Sequence, residues 1–185
     1  TTLFRSLQYK DSKIVFEKVD IRIRNKIIYE ISSYIQPEPN EECIDLNNDL
    51  VLPGMVNSHY HSYTNILRGT SFGEPLEIWS HDTVALGRIL TQEDMEISTA
   101  LGICEMIRAG VTACVDHLPH LGTAFAAGKV YERSGFKVGL APMIHNIKDE
   151  DLLYGFNKSS TDENSVSPFL SVDGYLDYYK SFIDE

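Results

Sequence analysis

Positive charge is scarce in this sequence: 16 lysines and arginines stand against 27 aspartates and glutamates, for a net charge of −11. Such a surplus repels phosphate backbones and anionic lipid over a long range, so it argues against nucleic acid and membrane surfaces as partners. Long hydrophobic runs are lacking too. No apolar stretch approaches the roughly 18 to 20 residues that cross a bilayer. The opening TTLFRSLQYKDSKIVF lacks the charged-then-apolar order of a secretion signal, and together these absences point to a cytoplasmic protein. Cysteine is sparse: Cys43, Cys104 and Cys114 are an odd number without CxxC spacing. Their apolar or mixed surroundings lead us to expect three reduced thiols buried as small hydrophobes. Glycine-rich phosphate loops, a GxSxG nucleophile motif and basic patches are missing as well.

What is present is globular. Hydrophobic residues make up 43 % and charged residues 23 % of 185, and a chain of that length can bury an ordinary core. Between Ile14 and Ile35 apolar and polar residues alternate, with Val19, Ile21 and Ile23 on one face and Asp20, Arg22 and Arg24 on the other. That period predicts a half-buried antiparallel strand with a charged outer face. Asn25-Lys26 then makes a weak turn into a second strand near Ile27 to Ile31, and QPEPNEE supplies a loop. We read residues 1–50 as part of a small β domain.

At Val51 the character changes. VLPGMVN is almost continuously apolar, as expected of a short strand buried on both faces in a parallel sheet. After a long polar and aromatic connection, Ile97, Leu101, Cys104 and Ile107 recur at helical spacing between Gln92 and Ala109. Thr91 with Asp94 signals the start of that helix and Gly110 its stop. VTACVDH reads as a strand, Thr123 to Ser134 as a helix closed by Gly135, and FKVGLAPMI as a further strand. Asp173 to Asp184 has the spacing of a last helix. The alternation predicts an α/β unit over 51–185, its parallel sheet either open-wound or part of a barrel.

The chemistry-bearing stretch is VNSHYHS. In a regular strand Asn57, His59 and His61 project to one side, so two imidazoles can converge on one divalent ion. Such an ion keeps positions open for other ligands and for a water made acidic near neutral pH. Two exposed loop histidines are the plainer alternative for an isolated HxH. Clustering favours the ligand reading: His59 and His61 end the first parallel strand, His117 and His120 the second, and His145 the third. Only His81 lies elsewhere, and the carboxyl ends of parallel strands form the ligand-binding face.

LPGMVNSHYHS, followed by LRG, EIW and GICEMIRAGVT, resembles the amidohydrolase superfamily, nearest to its chlorohydrolase, S-adenosylhomocysteine deaminase and cytosine deaminase group. The resemblance runs from about Val19 to at least Leu140. It implies a small β-sandwich segment followed by a (β/α)8 TIM barrel, of which about three βα units are expected here, making the chain an N-terminal portion. It implies hydrolysis of a carbon–nitrogen or carbon–halogen bond in a heterocyclic or amidine-type small molecule by water activated on Zn²⁺, or alternatively Fe²⁺. His59 and His61 would be the first two metal ligands. The remaining ligands and the general acid and base would belong to later strands, so the 185 residues alone are expected to be inactive and to form a homo-oligomer or pair with the remainder of a barrel.

Four residues are expected to line a substrate pocket: Trp79 by stacking on a planar ring, Arg88 by pairing with an anionic group, and His117 and His145 from the strand ends. Each has a plainer role, as loop anchor, solvated arginine or polar loop residue. Where this group tends to carry an acid suited to ribose hydroxyls, Gly87 and Arg88 stand instead, which counts against an adenosine-like substrate. Arg68-Gly69 suggests a turn with an ion pair. Two further readings stay open: a truncated relative acting as a binding or partner-pairing module, and a metal-dependent phosphoesterase.

Overall fold

The computed structural model describes residues 3–46, 49–144 and 171–184. The chain divides into two compact units, Thr1–Gly54 and Met55–Glu185. In the first, β1 (Leu3–Lys10), β2 (Lys13–Arg24), β3 (Ile27–Ser32) and β4 (Leu50–Val51) form one sheet in the order β3-β2-β1-β4. β1 was not anticipated, because only a two-residue turn separates it from β2. Asp11 and Ser12 take positive φ there, as Asn25 and Lys26 do between β2 and β3. Positive φ at both central residues gives the turn a twist that matches the strands it joins.

The alternation in β2 is real and Arg24 is exposed as expected, but the two other charged residues placed on the outer face are not there. Asp20 and Arg22 are buried while Ile23 is exposed. The chain after β3 folds back over this face: Ile35 N donates to Asp20 Oδ2 at 2.8 Å, and Arg22 grips Glu41 through Nε and Nη2 at 2.7 and 3.0 Å. Arg22 also donates to Glu30 at 2.7 Å and to the Gln36 carbonyl at 2.8 Å. A buried guanidinium needs its donors met, and this segment meets them.

VLPGMVN is split rather than continuous. Leu50–Val51 pairs in parallel with β1, and only Met55–Tyr60 (β5) enters the second sheet. Met55 and Val56 are exposed, and among the described residues β5 pairs on one side only.

The second unit is α/β. Its sheet runs β5-β6-β7, all parallel, with β6 at Val111–Leu118 and β7 at Lys137–Pro142. A 3₁₀ segment, Ser62–Leu67, and α1, Leu76–Arg88, follow β5; α2 spans Gln92–Arg108, α3 Leu121–Ser134 and α4 Val172–Asp184. α1 replaces the expected connection, so Trp79 stands on a helix and Arg88 at a helix end. The ends of α2 are as read: Thr91 and Asp94 form a reciprocal capping box, worth about 1 kcal/mol, and Gly110 takes φ +77°. Gly135 closes α3 at φ +67°.

The buried face of α2 is the opposite of the expected one. Met95, Ser98, Thr99, Gly102, Ile103 and Met106 face inward, whereas Ile97, Leu101, Cys104 and Ile107 are exposed. Two apolar stripes share this helix, and the stripe with small and hydroxylated residues is the one that packs closely. Met95, Ile103 and Met106 join Cys114, Leu118, Ala124, Ala127, Val130 and Tyr131 in the core. Of the three cysteines only Cys114 is buried as expected; Cys43 and Cys104 are exposed, and all are free thiols.

Candidate metal site

Strict strand alternation does not hold where the histidines lie. Asn57 pairs with Cys114 and Tyr60 with Asp116, so β5 advances three residues while β6 advances two. This bulge re-aims side chains, as bulges do beside functional sites. His59 and His61 nonetheless meet, with ring centroids 4.9 Å apart and perpendicular planes. His117 from β6 joins them, 4.9 Å from His59 and 6.0 Å from His61.

His61 is held by its Nδ1, 2.7 Å from the carbonyl oxygen of His117. A carbonyl can only accept, so Nδ1 carries the proton and Nε2 keeps a lone pair, the form in which imidazole binds a cation. The donor chemistry therefore fits a metal. Among the described residues no group of three or more His, Cys, Asp or Glu side chains could hold an ion.

The chain leaving His61 is fastened on two sides. Ser62 N donates to Asp116 Oδ1 at 2.9 Å, and Tyr131 of α3 donates to Asp116 Oδ2 at 3.0 Å. Asp116 is fully buried, and this burial pushes its carboxyl above the usual range, against the opposing effects of the Ser62 and Tyr131 bonds and of His61. Burial and the neighbouring Asp116 raise the Tyr131 phenol strongly. On the other side Asn65 Nδ2 donates to the Ser62 and Ser98 carbonyls and to Tyr60 Oη, at 2.7, 3.0 and 2.6 Å, and Ser98 Oγ donates to the Ser62 carbonyl at 2.6 Å. Burial pushes the Tyr60 phenol up to about 12. A Cβ on Gly102 would lie 1.6 Å from Tyr60 Oη, so only glycine admits this network.

The other candidates are placed differently. Trp79 lines a pocket of about 260 Å³ with Arg68, Phe72, Glu74 and Thr83. Arg68 pairs with Glu105 and Gly69 takes φ +79°, the turn and ion pair foreseen. Arg88 is the last residue of α1, where a cation suits the helix dipole. Its neighbour Gly87 abuts His120 and Tyr63, with a Cβ there only 2.3 Å from His120 Nε2. His120 is buried before α3, its ring edge-on to Tyr63 at 5.3 Å. His81 lies on α1 and is exposed. His145 falls outside the described residues. Sequence reasoning missed Asp116, Tyr131, Asn65 and Ser98; the one available signal was an acid inside the β-branched run VTACVDH, which needs buried donors.

Residues 50–144 match the Amidohydrolase family. The chain belongs to that family. It is similar to a 5-methylthioadenosine/S-adenosylhomocysteine deaminase of Pyrococcus furiosus, 35 % identical over 103 residues that cover 55 % of this chain and 24 % of the relative. Its fold is like that of the atrazine chlorohydrolase of Arthrobacter aurescens TC1 complexed with zinc, with a TM-score of 0.74 at 17 % identity over 100 % of this chain and 43 % of that one. It is also like the guanine deaminase of C. acetobutylicum with guanine in its active site: TM-score 0.62, 18 % identity, 85 % and 43 % coverage. The chain thus spans less than half the length of each of these proteins. Among the described residues no helix is long and apolar enough to cross a membrane.

Proposed function

We propose that this chain supplies part of the metal site of a hydrolase that removes ammonia, or in the chlorohydrolase variant halide, from a heterocyclic or amidine-type small molecule. The observation that carries the reading is the bond from His61 Nδ1 to the His117 carbonyl, which leaves Nε2 able to ligate beside the His59 ring. Family membership and the zinc in the solved chlorohydrolase support it. A divalent cation, Zn²⁺ first and Fe²⁺ as the alternative, supplies Lewis acidity and lowers the pKa of water toward ~7. His59 and His61 would be two of its ligands. His117 would line the substrate pocket, with Trp79 stacking on a ring, Arg88 pairing with an anionic group, and His145 in the same lining role. The general acid and base are assigned to none of these residues.

Two features of the second unit support pairing with the remainder of a TIM barrel or with another copy. β5 and β7 each pair only with β6 among the described residues, and Ile97, Leu101 and Ile107 leave an apolar stripe on α2 exposed. Parallel strands are ordinarily covered on both faces, and barrels remove their edges.

Metal analysis tests the reading. The 185-residue chain should hold zinc below one equivalent, because two imidazoles bind weakly alone, and His59→Ala or His61→Ala should remove it. Zinc content indifferent to both substitutions would overturn the ligand assignment. A monomer in light scattering that also releases ammonia from a heterocyclic amine would refute the need for pairing. An absence of turnover in a longer protein extending beyond these residues would favour the non-catalytic binding module instead.

A further inference from the structure

The site has a support that the metal reading does not use. Asp116 and His117 are successive residues of β6, with Asp116 buried on the face that packs on α3 and His117 half-buried on the other. Both act on the same short piece of chain. The His117 carbonyl accepts from the His61 ring, and the Asp116 carboxylate accepts from the amide of Ser62, the next residue. β6 therefore grips His61 at its ring and just beyond its own carbonyl, across a bulged register where regular ladder bonds do not fix it. Thr64 N and Oγ1 hold the His61 carbonyl, and Asn65 and Ser98 hold the Ser62 carbonyl, but only the two bonds from β6 tie the ring and the following amide to the same strand.

We propose that Asp116 and Tyr131 are positioning residues: the Tyr131 hydroxyl holds the Asp116 carboxylate on Ser62 N, and this brace keeps His61 Nδ1–H on the His117 carbonyl. The inference rests on the reading of His61 as a ligand for its consequence, but not for its geometry. Neutral imidazole in water prefers the proton on Nε2, so the Nδ1–H form of His61 must be enforced by its surroundings. A carboxylate buried without a cation is costly, which makes a merely decorative Asp116 a poor explanation. Tyr131 is suited to the task because its ring is packed in the core beside Phe136, leaving the hydroxyl a fixed point on α3.

The test has two readouts on the full 185-residue chain. Imidazole ¹⁵N shifts, recorded without metal at a pH where His61 is neutral, report its tautomer. Titration with Co²⁺, followed by its visible absorption, reports ligation. In the unaltered chain His61 should be mainly Nδ1–H. Tyr131→Phe, which deletes one hydroxyl and keeps the ring, should shift His61 toward the Nε2–H form and weaken cobalt binding about tenfold, the low end of the loss seen when a ligand's supporting bond is removed. Asp116→Ala should do so more strongly, and Asp116→Asn, which keeps an oxygen for Ser62 N, should restore most of the tautomer. An unchanged ¹⁵N pattern in folded Tyr131→Phe overturns the proposal, whatever happens to stability. A tautomer shift together with cobalt binding that His59→Ala and His61→Ala leave unchanged upholds the brace and overturns the ligand reading alone.

Discussion

In the first unit the half-buried Glu41 carboxylate meets the guanidinium of buried Arg22, whereas in the second the hydrogen bonds to the Asp116 carboxylate among the described residues come from neutral donors, a backbone amide and a phenol. The consequence is opposite in sign. Bonding to Arg22 holds Glu41 at about 2, against an ordinary 4.5. Burial instead drives Asp116 upward despite its two hydrogen bonds. A carboxylate matched to a cation stabilises its surroundings in the ionised form. One held by neutral donors fixes geometry while its charge remains a liability. The first arrangement ties down the chain that follows β3; the second holds the amide next to His61 without placing a cation beside the histidines.

Four experiments would break or sharpen that contrast. The largest effect is expected from Gly102→Ala, whose methyl would collide with Tyr60 Oη and disrupt the Asn65–Ser62–Ser98 network. It should destabilise the second unit by roughly 3 kcal/mol, seen as lost hydrogen-exchange protection in 55–118 with the first unit unaffected. Arg22→Met should come next. It strands Glu41 and Glu30 without their cation and should lower the melting temperature of the first unit by about 10 °C, while the fluorescence of Trp79, the sole tryptophan, stays unchanged below that transition.

Acid should separate the units more gently. Because the folded pKa of Glu41 is depressed, its contribution is full above about 4.5 and is lost as pH falls from there toward 2. Hydrogen exchange in 20–42 should therefore accelerate across that window, and Arg22→Met should abolish the dependence. The smallest effect belongs to Asp116→Asn. It keeps the shape and removes the charge, so thermal stability at pH 7 should change by no more than about 0.5 kcal/mol; a large loss would show that the charge itself holds the second unit together.

Much of the second unit was legible because its punctuation is local. Thr91, Asp94, Gly110 and Gly135 end helices through bonds within a few residues, and these positions were read correctly. The grouping of His59, His61 and His117 was legible because strand ends gather on one face, whereas His120 turns out to be buried against Tyr63. β1 escaped because Asp11-Ser12 is an unremarkable pair whose positive φ is chosen by the hairpin. α1 escaped because Pro75 precedes it without a side-chain cap.

By itself, then, the sequence determined where α2, β6, α3 and β7 lie, that their strands run parallel, and that His59 and His61 stand at a strand end, because caps, glycine stops and periodicity act over short distances. Tertiary structure alone decided which stripe of α2 is inside, that Asp20 and Arg22 are buried, and that His61 bonds through Nδ1 while Asp116 and Tyr131 brace the next residue. Those outcomes depend on partners 15 to 56 residues away in the chain, whose proximity no local pattern encodes.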